Sequence, residues 1–221
     1  MRLAVVDAGL AYQRRTFADF KTANIFSDLI PISDLGDVNL AGHTALMIPC
    51  RTPGHRLTPH KDLLERYVRE GGLLLVMGET NPELFLDGLE VTPEPTNFWW
   101  WREPDLDLGV QIDMPSHPVL FGLKTQDCAW HVHGTLSVPE GGQVLLSWHP
   151  KPAVSAKGVP GALMVDYPLG EGRVLVTSLD PIYHHGSGFM PATTRFLERF
   201  LPNAVAYTAA HRKLLTLNSN N

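Results

Sequence analysis

The stretch from Thr44 to Thr80, TALMIPCRTPGHRLTPHKDLLERYVREGGLLLVMGET, restricts the architecture more than any other part of the chain. It reads as strand, loop, helix, Gly-Gly turn and strand, one complete crossover unit of the right-handed kind. Its two strand segments, Ala45–Ile48 and Leu73–Met77, are continuous apolar runs instead of alternating ones. That pattern belongs to a parallel sheet with helices over both faces. Between them, Thr58 is expected to cap a helix whose first position is Pro59. Leu63, Leu64, Tyr67 and Val68 then form one apolar stripe, and Gly71 is expected to end the helix in a left-handed conformation. Ligands of open parallel sheets collect at the carboxyl ends of the strands. Cys50-Arg51 and Gly78-Glu79-Thr80 stand at those ends here.

Flanking elements extend the same architecture. Arg2–Val6 reads as a buried strand running into Asp7, followed by an amphipathic helix over 11–22 and a second strand over 24–31. Residues 81–129 are rich in proline and carry the aromatic block Phe98-Trp99-Trp100-Trp101. Such a segment is too proline-rich for long helices, and it reads as an insertion of loops and short strands. Strands are expected at Leu136–Val138, Gln143–Trp148, Ala162–Tyr167 and Arg173–Thr177, and their spacing predicts an antiparallel extension of the sheet. Gly170-Glu171-Gly172 is a hairpin signal. A last helix over 191–201 closes a single domain spanning 1–210, and 211–221 reads as a frayed, flexible tail.

Bulk properties narrow the function classes. At 221 residues, 44% hydrophobic and 19% charged, the chain has the composition of one ordinary globular domain. Its net charge of −5 and scattered Lys and Arg argue against a nucleic-acid partner. No apolar run approaches the roughly 20 residues that a bilayer demands, so no membrane partner is expected. Two cysteines, Cys50 and Cys128, do not make a disulfide framework, and a cytoplasmic location is the expectation.

Several side chains have the chemistry of a site. His131 and His133 flank Val132, so in an extended segment both imidazoles face the same way. His184-His185 follows Asp180 in a glycine-rich loop just beyond the carboxyl end of another strand. Imidazoles beside a carboxylate suit zinc, or iron if positions stay open, with His131, His133 and His184 as the ligand set. They suit acid–base chemistry near neutral pH equally well, and they also suit a merely structural network. Glu79 is a candidate base or ligand anchor, or a carboxylate accepting backbone N–H bonds from the next turn. Arg51 is placed to bind an anion or sugar hydroxyls. Cys50 beside it invites a thiolate reading, although cysteine is among the most buried residue types. Trp101, and Trp130 beside His131, offer stacking surfaces or loop-sealing aromatics.

The helix-turn-strand LLERYVREGGLLLVMG and the hairpin GEGRVLVTSLDP, about a quarter of the chain, carry a family resemblance. The chain resembles the class I glutamine-amidotransferase-like superfamily, closest to the trehalose-utilisation (ThuA-like) proteins and the trimerisation domain of bacterial β-galactosidases. The resemblance implies a three-layer, flavodoxin-like α/β domain with a mainly parallel sheet and antiparallel edge strands. A glutaminase of that superfamily would carry a cysteine at the turn after Leu73–Met77, where this chain has Gly78-Glu79-Thr80. A late His-x-Glu pair is missing as well, so standard glutamine hydrolysis is not expected.

Three functional readings follow. The first is an enzyme or enzyme-like protein, a hydrolase or lyase, acting on a small polar ligand that the resemblance makes carbohydrate-related. Glu79, His131 and His184 are its catalytic candidates. Asp7, Cys50, Arg51, Trp101, His133, Asp180 and His185 are its ligand-binding candidates. The second is a non-catalytic ligand-binding or oligomerisation module, with self-association favoured by the aromatic insertion. The third is a cysteine hydrolase using Cys50 and His131.

Overall fold

The computed structural model describes residues 3–21, 25–95, 106–155 and 157–218. Five strands make the parallel part of the sheet: β1 (Leu3–Asp7), β2 (Phe26–Pro31), β3 (Ala45–Ile48), β4 (Leu73–Val76) and β10 (Gly172–Thr177), in the order β2-β1-β3-β4-β10. Beyond β10 the sheet turns antiparallel through β9 (Gly161–Leu169), which pairs with both β8 (Gln143–Trp148) and β7 (Gly134–Leu136). Two short strands of the proline-rich segment complete it. β5 (Val91–Pro93) pairs with β7, and β6 (Val110–Ile112) pairs with β8.

The continuous apolar runs are explained by two separate cores. Leu3, Val5, Met47, Leu73, Leu75 and Leu175 pack on one side, against Phe17 of α1 (Ala11–Lys21) and Phe196 and Phe200 of α6 (Pro191–Asn218). Ala4, Val6, Leu46, Ile48, Leu74, Val76 and Val174 pack on the other, against Leu64, Tyr67 and Val68 of α3 (Lys61–Arg69). Successive strand residues alternate between these faces, and both faces are covered, so every position must be apolar. This is the three-layer arrangement with a mainly parallel sheet that the sequence resemblance implies.

Some local expectations need correcting. Thr58 is not an N-cap. Helical structure already begins at Gly54 with α2 (Gly54–Leu57), and Thr58 closes that turn by donating its hydroxyl to the Gly54 carbonyl at 3.4 Å. Pro59 lies in the 3-10 turn Thr58–His60 that joins α2 to α3, where its missing N–H interrupts the α-helical ladder. Gly71 does adopt the left-handed backbone, at φ 101°. The strand expected at Leu136–Val138 sits two residues earlier, at Gly134–Leu136, where it can pair with β5. His184 and His185 lie in a helix, α5 (Pro181–Ser187), instead of an open loop. The last helix does not stop at Leu201. It runs through Pro202 to Asn218, over much of the segment read as a frayed tail. No described helix is long and apolar enough to cross a membrane.

Candidate functional site

The carboxyl ends of β3, β4 and β10 are tied together by backbone. Arg51 N–H donates to the Gly78 carbonyl at 3.0 Å, and Gly78 N–H donates to the Leu179 carbonyl at 2.9 Å. Gly78 permits this closeness, because a Cβ there would overlap the Ser178 carbonyl. Arg51 and Glu79, the residues that turn the chain off β3 and β4, both have left-handed backbones, at φ 61° and 57°. For residues other than glycine each such conformation costs on the order of 1–3 kcal/mol, and such residues concentrate at working sites.

Into this rim β10 delivers Asp180, which opens α5 with Pro181 as its first helical residue. One helical turn later, at i+4, His184 stands on the same face. The segment between α4 (Thr125–Cys128) and β7 brings Trp130, His131 and His133 over the same point. Asp180 is fully buried and is the hub. Its Oδ1 accepts from Trp130 Nε1 at 3.0 Å and lies 3.2 Å from His184 Nε2 and 3.9 Å from His131 Nε2. Its Oδ2 is 3.3 Å from His133 Nε2 and 3.5 Å from Arg51 Nη2. The His131 and His184 Nε2 atoms share a hydrogen bond at 2.8 Å, so one imidazole donates and the other accepts. One ligand-type atom from each of His131, His133, Asp180 and His184 falls within a common span of 4.8 Å.

Around the hub, the Arg51 guanidinium donates through Nε to Glu79 Oε2 and lies over the Tyr183 ring, 3.4 Å from its centroid. Glu79 Oε1 sits 3.4 Å from His133 Nδ1. Electrostatics follow from burial and these neighbours. Burial, opposed by the Asp180 charge and reinforced by His133, His184 and Arg51, pushes the His131 imidazole down to about 3. It is therefore neutral at physiological pH, with a lone pair to offer. For Asp180, burial works upward, but hydrogen bonds from His133 and His184 prevail and hold the carboxyl well below the usual range. Imidazoles gathered around one ionised, buried carboxylate can hold a metal ion.

The remaining candidates divide. Arg51 and Glu79 join the cluster. Cys50 lies beneath it, fully buried, with its Sγ accepting from the Tyr183 N–H at 3.2 Å. Burial, with the nearby Asp180 charge, pushes its thiol well above the ordinary value, which disfavours the thiolate that a cysteine hydrolase would need. His185 points the other way, since neighbours on a helix diverge by about 100°. Its Nδ1 is 3.0 Å from the Thr16 hydroxyl and its Nε2 3.9 Å from Asp19, so it joins α5 to α1 and stands apart from the Asp180 cluster. Asp7 is spent on its own strand end, accepting from Arg14 Nη2 at 3.0 Å and from Gly9 N–H at 2.8 Å. Trp101, with Trp99 and Trp100, lies outside the described residues.

Beside Glu79 and His133 opens a cavity of about 320 Å³, walled also by Gly78, Thr80, Leu136 and Ser178. The Thr80 and Ser178 hydroxyls are buried and have no hydrogen-bond partner among the described residues. Sequence reasoning placed Thr80 at a strand end without giving it a role, and it missed Ser178, the Tyr183 ring under Arg51, and the Trp130–Asp180 bond. For Trp130 a signal existed in its place next to His131. For Ser178 and Tyr183 none did, because a lone Ser or Tyr has no distinctive spacing.

No family model matches the chain, and no curated protein matches it. Solved structures do. A ThuA-like protein from Bacteroides uniformis aligns with a TM-score of 0.58 at 15% identity, covering 94% of this chain and 90% of its own. A GMP synthase-type protein from Thermoplasma acidophilum aligns at 0.59 and 13%, covering 98% of each. The β-galactosidase of Bacillus circulans aligns at 0.53 and 11% over 96% of this chain but 31% of its own. At such identities the likeness shows the fold alone, a flavodoxin-like, glutamine-amidotransferase-like α/β domain.

Proposed function

We propose that this protein is a metal-dependent enzyme or enzyme-like protein, of hydrolase or lyase type, acting on a small polar ligand bound beside Glu79 and His133. Zinc or iron would be held by His131, His133, His184 and Asp180. The observation that carries this reading is the convergence of their four ligand-type atoms within 4.8 Å around a buried carboxylate. Zinc–nitrogen bonds of about 2.0–2.1 Å in tetrahedral geometry set neighbouring ligand atoms about 3.4 Å apart. The 2.8 Å between the His131 and His184 nitrogens and the 3.2 Å from His184 to Asp180 Oδ1 are close to that spacing. His133 lies 3.3 Å from the other oxygen and the full set spans up to 4.8 Å, so side chains would draw in around an ion. Bound there, such an ion would polarise a ligand oxygen and lower the pKa of a coordinated water.

The chain's own residues would do the rest. Trp130 would orient Asp180, while Arg51 holds the carboxylate pair of Asp180 and Glu79 together. The unpartnered Thr80 and Ser178 hydroxyls in the cavity wall favour a ligand rich in hydrogen-bonding groups. A carbohydrate-related ligand is suggested by the ThuA-like and β-galactosidase neighbours. A cytoplasmic role without a nucleic-acid or membrane partner, and self-association into a homo-oligomer, belong to the same proposal; one structural neighbour is a cytoplasmic protein of Salmonella typhimurium.

One observation favours the second reading, a ligand-binding module without turnover: the turn after β4 carries Glu79 in place of a cysteine, already engaged by Arg51 and His133. Both readings meet the same first test. Purified protein stripped of metal should take up one equivalent of Co²⁺ or Zn²⁺, and His184→Ala and Asp180→Ala should each weaken uptake at least tenfold. Wild-type protein that binds neither ion would end the metal reading.

A further inference from the structure

We infer that Glu79 is a positioning residue of the proposed metal centre, acting through His133 and held in place by Arg51. This rests on the metal reading above and assigns the carboxylate at the turn after β4 a place outside the ligand set.

The geometry leads there directly. His133 presents one nitrogen to the hub, with Nε2 3.3 Å from Asp180 Oδ2, and the other to Glu79, with Nδ1 3.4 Å from Oε1. An imidazole with a carboxylate on its far nitrogen keeps its proton on that side. With an ion bound, the near nitrogen, which donates to Asp180 in this structure, would offer its lone pair instead. Both Glu79 oxygens are engaged in this arrangement, one beside His133 Nδ1 and the other accepting from Arg51 Nε. Arg51 in turn reaches Asp180 with Nη2 at 3.5 Å and is pinned by the Tyr183 ring. One guanidinium therefore spans a carboxylate inside the ligand set and a carboxylate behind it. The left-handed backbones of Arg51 and Glu79 aim both side chains inward from adjacent strand ends. The Glu79 side chain is 32% exposed, so its truncation leaves no sealed void.

The test is a metal-affinity cycle, read with Co²⁺ by absorption and repeated with Zn²⁺ by competition. Wild type, Glu79→Ala, Glu79→Gln, His133→Ala and the Glu79→Ala/His133→Ala double variant are compared, with melting of the metal-free forms as a check on folding. Loss of an outer carboxylate partner lowers metal affinity about 10–100-fold. Glu79→Ala should fall in that range. Glu79→Gln should lose less, because its amide oxygen still accepts from Nδ1–H. In the His133→Ala background, removing Glu79 should change affinity less than twofold. Glu79→Ala binding as tightly as wild type would overturn the inference, as would an equal loss with and without His133. If Glu79→Ala does not fold, the Glu79→Gln comparison in the two backgrounds decides in the same way. Wild type that takes up no metal overturns this inference together with the metal reading, whereas tight wild-type binding with unaffected Glu79 variants overturns this inference alone.

Discussion

His131 shows how one residue's surroundings reach the stability of the protein. In an unfolded chain its imidazole takes up a proton near 6.5, whereas in the fold that happens only at about 3. Between those values the unfolded state binds a proton that the native state refuses, so acid favours unfolding through that window. Asp180 acts in the same direction lower down. Its depressed carboxyl contributes stability above the unfolded value of 3.8, and that contribution is lost as pH falls through the folded one. The melting temperature of metal-free protein should therefore drop steadily from about pH 6.5 toward about pH 4, and His131→Gln should flatten that slope. A profile identical in the two proteins would show that His131 does not titrate as its burial requires.

Among the elements, α6 departs furthest from what its sequence suggests. Pro202 inside a helix removes a hydrogen bond and adds a clash, about 3 kcal/mol in an isolated helix. Tertiary contacts offset that cost. Asn203 Nδ2 donates to the Val119 and Phe121 carbonyls, Ala204 and Thr208 are fully buried, and Tyr207 donates to Asp166 Oδ2 at 2.7 Å. Asp166 is itself buried, held by His117 and Arg173 as well. A hydrogen bond to such a charge is worth about 1.5–3 kcal/mol. Tyr207→Phe should lose that much in urea unfolding near neutral pH, and much less when Asp166→Asn is already present. The contrast with α3 is instructive. There the stripe of Leu64, Tyr67 and Val68 and the Gly71 stop were readable, because both are set within a few residues. The continuation of α6 past Pro202 was not, because it depends on β9 and on the 117–121 segment.

For the molecule as a whole, the site exists because three strand ends and the segment between α4 and β7 meet. Gly78 is a point of close approach between β4 and β10, and a methyl group there would strike the Ser178 carbonyl. Gly78→Ala should cost more than about 2 kcal/mol, in line with overpacking of a buried contact. It should also impair metal uptake, because separating the two strand ends draws Asp180 away from Glu79 and Arg51. Unchanged stability and unchanged Co²⁺ uptake in that variant would mean the strand ends are not coupled.

The parallel strands, the crossover and the two buried faces were legible in the bare chain, since apolar periodicity, helix stripes and glycine stops act over a few neighbouring residues, whereas β5, β6 and the bounds of β7 were not. Arg51, Glu79, His131, His133, Asp180 and His184 were legible there too, as chemistry-bearing groups near strand ends. It took the folded molecule to bring these six together, to turn His185 and Asp7 toward α1 and Arg14, and to seal Cys50 beneath the site as a thiol. The cause is that a side chain's direction is set by its own turn of helix or strand, whereas its partner is set by the order in which distant strands pair.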